Sequence, residues 1–126
     1  MVQLGYGALR EAGDNEYKLS DHGIKVAVTV DSSARDDGNT TDTTLRKGLV
    51  IGRVTATGKY KEYDAGASDG TETAAGILDD ETNLLDESGA ASDSHATMLI
   101  HGFVDEDRLI GIDAGGKSDL SAIIFG

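Results

Sequence analysis

Residues 45–78 read LRKGLVIGRVTATGKYKEYDAGASDGTETAAGIL, two glycine-punctuated apolar runs on either side of a polar turn and loop. Apolar residues gather around Gly48 at 45–51, and 53–57 continue as a second β-prone segment after Gly52. Glycine inside a strand pattern marks a bulge, a bend or a close backbone approach, so Gly48 and Gly52 predict a sharply bent ribbon instead of a flat sheet. Thr57, Gly58 and Lys59 give a turn signal, and Tyr60 and Tyr63 follow in a short strand. Residues 64–71 (DAGASDGT) are polar loop. They lead into 73–78 (TAAGIL), where small residues around Gly76, ahead of Ile77 and Leu78, suit a strand packed closely against a neighbour.

On the N-terminal side, residues 1–13 (MVQLGYGALREAG) mix Val2, Leu4, Tyr6 and Leu9 with three glycines and hold no sustained period. They read as an extended arm, richer in apolar residues than an ordinary disordered tail. Residues 16–20 (EYKLS) alternate as a short strand, and Asp21, His22 and Gly23 make a tight turn into 24–30 (IKVAVTV). There Ile24, Val26, Val28 and Val30 fall on one face, with the period of two of a half-buried strand. Residues 31–44 (DSSARDDGNTTDTT) are almost free of apolar side chains and read as a solvated loop.

On the C-terminal side, 79–94 are acidic and weakly patterned, with Leu84 and Leu85 as anchors. The longest apolar run, 95–104 (HATMLIHGFV), reads as a central strand with Gly102 as a bulge position. Three acids precede Leu109 in 105–112, and acids suit the positive end of a helix, so one short helix is allowed there. Residues 113–117 (DAGGK) read as a turn and 119–125 (DLSAIIF) as a last strand. The sum is a mainly β fold: an arm over 1–15 and one domain over 16–126, with about seven short strands and at most one short helix.

The totals narrow the function. A chain of 126 residues buries a modest core, smaller still if the arm and the 31–44 loop stay outside it, and oligomerisation is one way to complete such a core. No cysteine is present, which removes disulfides and thiolate metal sites. No stretch resembles a signal peptide or approaches a membrane span, so the protein is expected to be soluble where it is made. Twenty-three acids against 11 basic residues give a net charge of -12, which repels phosphate backbones and argues against a nucleic-acid partner. Aromatics make up 5% and tryptophan is absent, which disfavours an aromatic-lined ligand pocket.

Chemistry finds little support. His22 lies in a turn, while His95 and His101 sit in the longest apolar run and read as strand residues. None has a G-x-S-x-G context or a partner at metal-ligand spacing. The acids at 79–81 and 105–107 and the loop 31–42 do not match a calcium-loop pattern and read as solvated faces. No catalytic residue, cofactor or metal site is expected.

The order and spacing of four pieces resemble the lambda-like head decoration proteins of tailed bacteriophages, a family of capsid-stabilising, cementing proteins. The pieces are residues 45–54 (LRKGLVIGRV), 57–60 with Tyr63 and Asp64, 69–71 (DGT), and 74–78 (AAGIL). Residues 98–102 (MLIHG) and 111–120 (GIDAGGKSDL) extend the likeness, which departs at 31–44 and 84–94. The resemblance implies a β-clip or β-tulip body that trimerises on the outside of the capsid at local three-fold sites and stiffens the expanded shell. Its partners are then the major capsid protein of a tailed phage and its own copies, with synthesis in the host cytoplasm. In that reading Val2, Leu4, Tyr6 and Leu9 of the arm bind capsid by strand addition, and Gly48, Gly52, Gly58, Tyr60, Gly76 and Gly102 shape the body. The alternatives are a self-associating β-module without a viral role and a small-ligand or calcium-binding β domain.

Overall fold

The computed structural model describes residues 16–126. Its strands, in chain order, are β1 (Lys18–Val30), β2 (Thr44–Leu45), β3 (Val50–Arg53), β4 (Tyr60–Glu62), β5 (Ala74–Leu78), β6 (Thr82–Asn83), β7 (Ser94–Val104) and β8 (Ile123–Phe125). One short helix, α1 (Ala114–Asp119), precedes β8. The main sheet runs β1-β4-β3-β5-β7-β8, and a further antiparallel pairing of β1 with β7 closes five of these strands into a small ring. β2 and β6 pair apart from it.

The bent ribbon expected at 45–78 is present. β3 lies between β4 and β5, both antiparallel, and its register with β5 shifts between Ile51 and Gly52. Neighbouring apolar residues divide between the two faces of the sheet, because both faces are covered. Ile51, Leu78 and Met98 join one core cluster with Val30, Leu45 and Leu84. Val50, Ile77 and Leu99 join the other with Tyr17, Val104 and Leu120.

Three expectations need correction. The tight turn at Asp21, His22 and Gly23 is absent: β1 runs through it as one strand, and the extra residues are taken up by a register shift between Lys18 and Gly23 opposite β7. The expected helix at 105–112 is only a 3-10 turn over Glu106–Arg108, and α1 stands where a turn was read. Asp113 caps it, accepting a hydrogen bond from the Gly116 N–H at 2.7 Å, and the Tyr63 hydroxyl donates to the same oxygen at 2.8 Å. That tertiary anchor overrides the low helix propensity of two glycines. The loop 31–44 is not wholly solvated either, since Ala34 and Asp36 are buried.

Candidate docking surface

Along β1 the alternating face divides. Val28 and Val30 are buried, whereas Ile24 is 53% and Val26 36% exposed. Their cross-strand partners place them beside β7: Ile24 pairs with His101 and Val26 with Met98. Two residues further along β7, Phe103 is 38% exposed and pairs with Ile124 of β8, which is 62% exposed. Leu19, also half exposed, converges on the same end. Leu19 Cδ1 and Phe103 Cε1 both lie 2.6 Å from where a Cβ on Gly126 would stand. Ile24, Phe103, Ile124 and Leu19, with Val26 beyond Ile24, thus form an apolar strip across three strands near the C-terminal residue.

The strip occurs where it does because the layer covering this side of the sheet is short. Ala34, Leu45 and Leu84 pack over the Val28–Val30 end and contribute to one core cluster, and no described segment provides a comparable cover at the other end. His22 and His101 sit within the strip, with ring centroids 5.3 Å apart and planes at 86°. The His101 Nδ1 lies 2.7 Å from the Ala122 carbonyl oxygen, which holds the ring in place.

On the other side of β1, a polar pin fixes the point where the described body begins. The Tyr17 hydroxyl donates to Asp79 at 2.6 Å, and Lys25 and Lys18 pair with the same carboxylate at 2.7 and 3.3 Å. Burial alone would raise the Asp79 carboxyl, but hydrogen bonds from Lys25 and Tyr17 and both lysine charges outweigh it and hold it below the usual range. Burial, reinforced by the bond to Asp79, pushes the Tyr17 phenol up, so it stays a donor. With the Asp105 N–H donating to the Tyr17 carbonyl at 2.7 Å, the chain enters the body beside Leu19 and the strip.

The residues expected to shape the body have these places. Gly58 has φ +75° and closes the turn between β3 and β4 through its N–H to the Val54 carbonyl. Gly48 also has positive φ, and Gly52 sits at the β3–β5 register shift. Gly76 lets β5 approach β7 closely, because a Cβ there would fall on the Met98 side chain. Gly102 pairs with Gly23 between two register irregularities instead of forming a bulge itself. Tyr60 pairs with Val30 and packs on one core cluster. Val2, Leu4, Tyr6 and Leu9 lie outside the described residues.

The strip is what reading by residue pattern missed. Alternation in 24–30 marks an apolar face, but only the fold shows that half of it lacks cover among the described residues. No curated protein matches the chain. The pattern of the bacteriophage lambda head decoration protein D family matches residues 22–122, which takes in β7 and most of β1 but stops short of Leu19 and of β8 with Ile124. The chain therefore belongs to the phage lambda head decoration protein D family, structural proteins of the capsid exterior.

Proposed function

We propose that this head decoration protein docks as a homotrimer on the major capsid protein at local three-fold sites of a tailed-phage head and stabilises the expanded shell. The observation that carries the docking role is the uncovered apolar strip of Leu19, Ile24, Phe103 and Ile124, on a chain otherwise strongly acidic. A contiguous apolar patch on a soluble surface marks a site that a partner covers. Residues 1–15 join the body at Glu16, next to Leu19, so the arm and the strip reach the same partner together. Val2, Leu4, Tyr6 and Leu9 then add main-chain pairing and side-chain anchors. Three copies on one trimer supply avidity. The protein is made in the host cytoplasm and added after the shell expands.

Pelleting the protein with expanded and unexpanded heads of its own phage tests this reading. Retention on expanded heads alone is expected, with heads becoming more resistant to heat or chelator. Equal retention on both, or on neither, overturns it. Sedimentation equilibrium at micromolar concentration reads the trimer independently.

A further inference from the structure

Two of the three histidines, distant in the sequence, are brought together by the β1–β7 register. Gly23 pairs with Gly102 and Ile24 with His101, which sets His22 beside His101. Their ring centroids are 5.3 Å apart. Two imidazoles bound to one tetrahedral ion, each nitrogen ~2.0–2.1 Å from it, hold their centroids about 5 Å apart. The near-perpendicular ring planes, at 86°, are compatible with two ligands converging on one point.

The second observation concerns the tautomer of His101. Its Nδ1 lies 2.7 Å from the Ala122 carbonyl oxygen. A carbonyl oxygen only accepts, so Nδ1 carries the hydrogen and Nε2 keeps the lone pair that a metal takes. A ring nitrogen bonded to a backbone carbonyl is the usual outer support of a ligating imidazole. The His22 ring makes no hydrogen bond among the described residues; its contact is with His101.

We propose that His22 and His101 form a two-imidazole surface site for a divalent transition-metal ion of the zinc class. Imidazole nitrogen suits such ions better than it suits calcium or magnesium. Among the described residues no third histidine or carboxylate completes a cluster, so water fills the remaining positions and the affinity is modest. The net charge of -12 favours uptake of a dication. The third histidine, His95, lies at the other end of β7, near the Thr29 hydroxyl at 3.4 Å, and takes no part.

Zinc chloride added to the full chain tests the site, read by imidazole nitrogen NMR, thermal unfolding and light scattering. The ring signals of His22 and His101 should move together and saturate near one equivalent, with His95 unmoved. Zinc binds the folded state across two strands, so Tm should rise with its concentration. His22→Gln, at an exposed position, should fold as the wild type and lower zinc affinity by at least about tenfold, as should His101→Gln. An absent response, one that persists in His22→Gln, or binding only as two chains per ion overturns the proposal, leaving an edge-to-face ring contact. None of these readouts involves a capsid, so failure here and failure of the docking role are separate results.

Discussion

Asp36 and Arg46 meet as a two-pronged ion pair, with Nε donating to Oδ2 and Nη2 to Oδ1, each at 2.8 Å. The Arg46 backbone N–H adds a third bond to Oδ2 at 3.0 Å, and Asp36 is 2% exposed. The pair clamps the 31–44 loop to the start of the ribbon. Asp36→Ala strands a guanidinium and a backbone donor, so a loss of ~2–3 kcal/mol in urea unfolding is expected. A change within ~0.5 kcal/mol would show that the clamp is decorative.

Acid should loosen the body through the same carboxylates. Burial works to raise both Asp36 and Asp79, yet the Arg46 bonds in one case and the Lys25, Tyr17 and Lys18 contacts in the other hold both lowered. A carboxyl lowered by folding binds its proton less readily in the native state than in the unfolded chain. Its stabilisation is complete above the unfolded value of about 3.9 and is lost as pH falls through the folded one. Tm should therefore drop below about pH 4. Asp36→Asn should lower Tm at pH 7 and flatten the acid slope, and identical slopes in the two proteins would contradict this account.

Gly76→Ala probes the close approach of β5 and β7. The added methyl meets the Met98 side chain and, at 2.7 Å, the Leu99 carbonyl oxygen. Met98 can rotate away but the Leu99 backbone is held in the sheet, so a loss of about 1–3 kcal/mol is expected. Calorimetry showing no change in Tm would mean that the strands part without strain.

Phe103→Ser and Ile124→Ser remove exposed apolar surface, so the isolated body should change in stability by no more than ~0.5 kcal/mol. Together they should lower retention on expanded heads at least about tenfold, since anchors at the centre of an interface dominate binding. Leu85→Ser, at a 37% exposed leucine away from the strip, is the control. Equal retention of all three proteins would remove the strip from the docking role.

Deleting residues 1–13 should leave the far-ultraviolet dichroism and Tm of the body in place while weakening attachment to heads. Full retention by the shortened protein would assign docking to the strip alone.

Strand existence was legible where side-chain period or glycine spacing is strong: 24–30, 45–54, 73–78 and 95–104 all contain strands. What covers a strand was not legible, because burial of Ile24 or Val28 depends on segments far away in sequence. Val28 gained the layer around Ala34 and Leu84, and Ile24 did not. The helix was misplaced for a similar reason: acids at 105–107 look like a first turn, but the deciding contact is Tyr63 on Asp113, fifty positions apart. Asp36 escaped notice because nothing in a polar loop distinguishes the one carboxylate that finds an arginine fork. His22 and His101 could not be paired without the register of β1 on β7.

The closed ring of β1, β4, β3, β5 and β7 bears on how such molecules tolerate crowding. A sheet that joins back on itself offers its neighbours fewer free rows of amides and carbonyls than an open one. The closure is narrow: β1 meets β4 only at Val30 and Tyr60, so among the described residues the edge of β1 away from β7 has no strand partner over 18–29, and the outer side of β8 is open too. Strand addition by a neighbour is then directed to the long open edge of β1 and to the outer side of β8, while β3, β5 and β7, paired on both sides, offer none.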